Sequence, residues 1–138
     1  MVACYPQLEE RSLLGPEPPS EPEERLDLVT EMLGRQILEH EPELRATLRL
    51  ALESPRDPLP LRRGRAAAWI EDALAPLRGT LPDGDLRRLV LAIRAAVGIE
   101  PLVWLTDVGG LTREEAVELM RASARTLLRG ALAEAGLR

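Results

Sequence analysis

Apolar positions recur along this chain at three- and four-residue steps, the spacing of one face of an α-helix, and no sustained alternation marks a strand. The clearest repetition runs from Asp83 to Ala135, which reads as two long amphipathic helices joined by a break at Asp107-Val108-Gly109-Gly110. Leu86, Leu89, Val90, Ile93 and Val97 share a face in the first. Ala116, Val117, Met120, Ala124, Leu127, Leu128, Ala131 and Ala135 share one in the second. Thr112 with Glu115 spells a capping box, and Glu114, Glu115 and Glu118 sit toward the end where the helix dipole favours anions. Arg121, Arg125 and Arg129 follow toward the other end, and Gly136 can supply a left-handed stop.

The preceding chain predicts three more helices. One runs from about Pro22 or Glu23 to His40, with Leu26, Val29, Met32, Leu33 and Ile37 inward. The next starts at Pro42, near the first helical position where a missing N–H costs nothing, and carries Leu44, Thr47, Leu48, Ala51 and Leu52. The third covers Arg62 to Leu77, with Ala66, Trp69, Ile70, Ala73, Leu74 and Leu77 inward and Gly79 as its stop. Proline-rich connectors, Gly15 to Pro22 and Ser54 to Pro60, separate them, and Gln7 to Leu14 is a short additional candidate. The expected fold is therefore all-α: a helical bundle of five main helices plus a short N-terminal helix, with the last two forming a hairpin. Pro101 conflicts locally with this pattern. It lies within the apolar continuation Ile99 to Leu105, where it removes the bond to the Val97 carbonyl and predicts a kink or interruption that re-aims Trp104.

Length bounds the answer to one domain, since 138 residues bury enough surface to fold without staples. The lone Cys4 has no partner within the chain, which suits a reducing compartment. No continuous apolar run of about 18 residues and no signal-peptide pattern is evident, so a cytoplasmic protein without a membrane partner is expected. The net charge is −5, and all 18 basic residues are arginine. That balance argues against a nucleic-acid surface, as does an aromatic set limited to Tyr5, Trp69 and Trp104.

Catalytic chemistry has little to draw on. His40 is the single histidine and reads as a polar residue at a helix's carbonyl end. With Cys4 and scattered carboxylates it shows no metal-ligand spacing, so neither a metal nor a cofactor is expected. Gly109-Gly110 follows a helix and lacks the lysine of a phosphate loop. Arg62-Arg63-Gly64-Arg65 could serve an anion, or be a solvated end paired with nearby acids. Trp69 and Trp104 suit the core, or else the wall of an apolar pocket that uses the indole N–H. The hairpin itself could pack on the preceding helices, or two copies could join as a four-helix bundle about a twofold axis. Ala92, Ala95, Ala96, Ala122, Ser123, Ala124 and Ala131 favour the second by extending the small and apolar surface beyond one face.

The run Arg65 to Leu77, with Leu86 to Gly110 and Thr112 to Leu132 after it, resembles the C-terminal effector-binding and dimerisation domain of TetR-type transcriptional regulators. Members of that family begin with a three-helix DNA-binding domain. Cys4 to Leu14 resembles only the turn after its recognition helix and the start of its connecting helix, so that helix would lie upstream of Met1. The resemblance implies a remnant of the connecting helix and a linker over 1–20, and a ligand-binding, dimerising domain over 21–138. It also implies a homodimer seam of Leu86, Leu89, Val90, Ile93, Val97, Ala124, Leu127, Leu128 and Ala131. An apolar cavity of Met32, Ile37, Leu48, Trp69, Ala73, Trp104 and Met120 would accept a small apolar effector. Duplex DNA binding by this chain alone is not expected. The competing expectation is an interaction module without a ligand that pairs with a full-length regulator; an enzyme ranks behind both.

Overall fold

A computed structural model describes residues 12–53 and 65–137. The described elements are helices: α1 (Pro22–Glu39), α2 (Glu41–Glu53), α3 (Arg65–Ala73), α4 (Asp83–Ala96), α5 (Ile99–Val103) and α6 (Arg113–Glu134). The expected all-α class is observed, with no strand among the described residues. A wider π-type turn, Trp104–Val108, extends α5 and closes with Gly109 N–H on the Trp104 carbonyl at 2.8 Å.

α6 is the element the others lean on. α1 packs along one side of it and α4 along another, while α3 bridges α1 and α4, and α2 covers α5. Ala116, Met120, Ala124 and Leu128 form the stripe that α6 buries. Its ends follow the sequence chemistry. Glu115 N–H donates to Thr112 Oγ1 at 3.0 Å and Thr112 N–H to Glu115 Oε1 at 2.9 Å, a complete capping box. At the other end Gly136, with φ +77°, lets Leu137 N–H reach the Leu132 carbonyl at 2.7 Å and Gly136 N–H the Ala133 carbonyl at 3.0 Å, a Schellman stop.

Three expectations are corrected. The helix expected over Arg62 to Leu77 ends, in its described part, at Ala73 and continues as a 3₁₀ turn, Ala75–Leu77. Pro76 is the cause, because it has no N–H for the Asp72 carbonyl and its ring crowds that carbonyl. Arg25 of α1 takes the released acceptors, donating from Nη2 to Asp72 O at 2.7 Å and from Nε to Ala73 O at 2.9 Å. The interruption expected at Pro101 falls earlier, at Val97–Gly98. Val97 turns extended, with φ −130° and ψ 110°, so its carbonyl leaves the path of the Pro101 ring. Pro101 then sits in the first turn of α5, where a helix has no acceptor to offer its missing N–H. Finally, Ser12–Leu14, the described end of the short N-terminal helix, is a turn whose Leu13 and Leu14 join the core. The remainder of that helix, the Ser54–Pro60 connector and Arg62-Arg63-Gly64 lie outside the described residues.

α1 approaches α6 closely at Gly34, where an added Cβ would stand 2.7 Å from Val117 Cγ1. Valine's β-branch leaves little rotamer freedom to yield in a helix. Gly34→Ala should therefore lower stability by about 1 kcal/mol, overpacking outweighing the helix-propensity gain. In a Val117→Ala background the same change should be stabilising, a reversal of sign readable from urea midpoints.

Candidate functional site

α6 sorts its side chains into three directions. Its arginines turn to α1: Arg121 and Arg125 donate to Asp27 Oδ1 at 2.8 and 3.0 Å, and Arg129 grips Glu23 at 2.7 Å. Its buried stripe turns to the core. The flank beside α4 carries Leu119, Ser123, Thr126 and Gly130, none of them charged. α4 continues that flank with Leu91, Ala92 and Ala95, all exposed. Leu91 and Leu119 expose 46% and 45% of their surface and Trp104 60%, large values for side chains of this kind, and Leu119 and Trp104 stand side by side.

Two open grooves lie along this face. One, about 310 Å³, is lined by Ala96, Pro101, Trp104, Leu105, Leu119, Met120 and Ser123. The other, about 470 Å³, runs between the start of α4 and the end of α6, over Leu81, Asp85, Arg88, Leu89, Thr126, Leu127, Gly130, Ala131, Glu134 and Ala135. Asp85 and Arg88 on its rim pair with each other at 2.9 Å. Neither groove holds a charged cluster suited to a metal, and no group of metal-ligating side chains occurs among the described residues.

The residues expected to form the dimer seam are placed differently. Leu86, Leu89, Val90, Ile93, Val97, Ala124 and Leu128 are buried inside the single chain, and Leu127 and Ala131 are half-buried at the edge of its core. The helical period correctly finds the face that is buried, but it carries no information on whether the covering surface belongs to the same chain. The free surface is the adjacent one, and the small residues Ala92, Ala95, Ala122 and Ser123 were its signal.

The residues expected to line a cavity take different positions among the described residues. Ile37, Trp69 and Ala73 are close-packed in the core, Leu48 is half-buried, and Met32 is exposed at 36%. Met32 lies at the margin of α1's stripe, where the period alone does not decide. Trp104 and Met120 do meet, at the smaller groove, because the early break at Val97–Gly98 turns Trp104 outward.

Asp83–Val108 is, by length and composition alone, apolar enough to cross a membrane, although Arg94 and Glu100 interrupt it and no continuous apolar run of about 18 residues occurs. Its two mid-stretch charges, Arg94 and Glu100, form an ion pair at 2.9 Å that covers Gly98; a Cβ there would meet Arg94 Nη1 at 2.1 Å. In the fold the stretch is broken at Val97–Gly98, and only one side of it packs on the chain.

The hairpin is clamped to α2 by a buried acid. Glu41, 7% exposed, accepts from Arg113 Nε at 2.6 Å and from Arg45 Nε at 2.7 Å, and Arg45 continues to Asp107 at 2.9 and 3.0 Å. The Arg113 hydrogen bonds hold the Glu41 carboxyl below its ordinary value of 4.5; burial opposes them and the Arg45 bond adds to the lowering. A depressed folded-state value means the contribution is present above the unfolded value and is lost as pH falls through the folded one. Glu41→Gln should cost about 1–2 kcal/mol at pH 7, an amount limited by the half-exposed Arg113, and should flatten the loss of stability below pH 4.5. Thermal melts from pH 7 to pH 3 give both results. No protein-family model, curated protein or solved structure matches the chain.

Proposed function

We propose that this chain is a homodimerising regulatory module of the kind found in the C-terminal half of TetR-type regulators, with α4 and α6 of two copies packed as a four-helix bundle. The observation that carries this reading is the uncharged flank of Ala92, Ala95, Leu119, Ser123 and Thr126, exposed apart from the half-buried Ser123, beside which Arg121 and Arg125 turn to Asp27 and Arg88 pairs with Asp85 at the rim. A helix pair apolar on two sides calls for two covering surfaces, and the chain supplies one. The two hairpin faces match because a twofold axis brings the same patch to itself.

An apolar effector, the second half of the resemblance, would sit at the groove of Ala96, Pro101, Trp104 and Met120. Its effect would come from binding one packing of the two copies better than another. Sequence reading of duplex DNA is not assigned to these residues, because an uncharged face cannot neutralise phosphates. The interaction-module alternative uses the same flank and differs in having a related regulator as the second partner; the openness of both grooves, which enclose no ligand space, favours it over an effector sensor should no apolar compound bind.

Light scattering at micromolar concentration should give twice the chain mass of 15.2 kDa. Ala95→Arg, at an exposed position, should leave the stability of the single chain within about 0.5 kcal/mol of wild type while weakening association at least tenfold. Wild-type protein that remains at 15.2 kDa, or that partitions onto lipid vesicles instead of associating, would overturn the reading.

A further inference from the structure

We propose that Trp104 of each copy anchors the dimer by seating in the larger groove at the far end of the other copy's hairpin, between Leu81, Leu89, Leu127 and Gly130. This rests on the dimer reading and adds the pair of sites that sets its register. The hairpin is polar in the sense of having two unlike ends. Ala96 of α4 lies beside Met120 and Ser123 of α6, whereas Asp85 and Leu89 lie beside Thr126 to Ala135, so α4 and α6 run antiparallel. Trp104 projects at the first end and the larger groove opens at the second. A twofold axis through the middle of the face, near Ala92 and Thr126, exchanges the ends and brings each projection over the opposite copy's groove.

Gly130 supplies an independent argument. A glycine inside a 22-residue helix costs about 1 kcal/mol relative to alanine. Close approaches within the chain account for Gly34 and Gly98, whereas a Cβ at Gly130 would meet nothing within 4 Å. Gly84, in the first turn of α4 and at the same end of the hairpin, is open in the same way. The missing side chain at Gly130 therefore clears the floor of the groove for something outside the chain. The area is sufficient. The 14 residues of α4 and 22 of α6, about 21 and 33 Å long and each about 10 Å wide, present about 540 Å² per copy and about 1,100 Å² in total, just above the roughly 1,000 Å² a specific interface needs. A tryptophan at 60% exposure suits an anchor residue in such an interface.

Two variants test the pairing. Trp104→Ala removes the projection and keeps the groove; Gly130→Leu keeps the projection and fills the groove. Both positions are open within the single chain, so at low concentration circular dichroism should show the wild-type fold for each, with the melting temperature of Trp104→Ala close to wild type and that of Gly130→Leu equal or higher, since leucine favours the helix over glycine. Each variant alone lacks both anchored contacts, and its dimer dissociation constant should rise at least about a hundredfold. An equimolar mixture regains one intact contact per heterodimer and should associate more tightly than either variant by itself. Wild-type tryptophan emission should also shift to the blue on association, and that shift should vanish in Trp104→Ala. If wild type dimerises and Trp104→Ala dimerises equally well, or if the mixture shows no recovery, the anchor is overturned while the dimer stands. A wild-type chain that never associates overturns both.

Discussion

Two helices have to lie against the same length of α6, and small side chains are what permit it. Ala116 and Ala124 are fully enclosed, and Gly34 brings α1 within contact of Val117 where any larger residue would collide. Because the approach is close, α6 can bury one narrow stripe against both neighbours and still keep a third side unused. Charge follows the same division. Asp27 and Glu23 draw Arg121, Arg125 and Arg129 toward α1, so the middle of the remaining flank is left without charge, and Asp85, Arg88 and Glu134 stand at the larger groove. The free apolar face is thus a consequence of how the core is packed, and no separate device is needed to create it.

Pro101 determines where that face ends. Its ring and missing N–H displace the helix break to Val97–Gly98, and the Arg94–Glu100 pair fills the space a Gly98 side chain would need. α5 then starts on a new axis, packs Ile99 and Leu102 inward, and directs Trp104 out beside Leu119. The wide turn that follows brings Asp107 to Arg45 and Arg113 to Glu41, so the hairpin's closed end is tied to α2. One proline therefore links the sequence to the local break, to the exposure of a tryptophan, and through it to the proposed association.

Much of the fold is legible from residue spacing. The stripes of α1, α4 and α6, the Thr112–Glu115 capping box and the Gly136 stop are local, and local chemistry decides them. Pro76, which shortens α3, is equally local, but the apolar period continues through it to Leu77 and masks the break. What spacing could not supply was the identity of the covering surface. Leu86, Leu89 and Ile93 have the pattern of a seam, yet this chain covers them itself. The candidate face consists instead of Ala92, Ala95, Ser123, Thr126 and Gly130, whose only sequence signal is smallness at positions where a charged residue would ordinarily stand. Helical inwardness at Ile37, Trp69 and Ala73 likewise fixes burial in a core and says nothing of an empty space beside them.

The central claim is that the outer flank of α4 and α6 meets its own copy about a twofold axis. In a Cys4→Ser background, Thr126→Cys places one thiol near that axis, and Arg35→Cys, on the exposed side of α1, places one away from it. Treated with a short bismaleimide at micromolar protein, Thr126→Cys should convert largely to a covalent species of twice 15.2 kDa while Arg35→Cys remains single. Equal cross-linking of the two, or none at Thr126→Cys, would contradict the account.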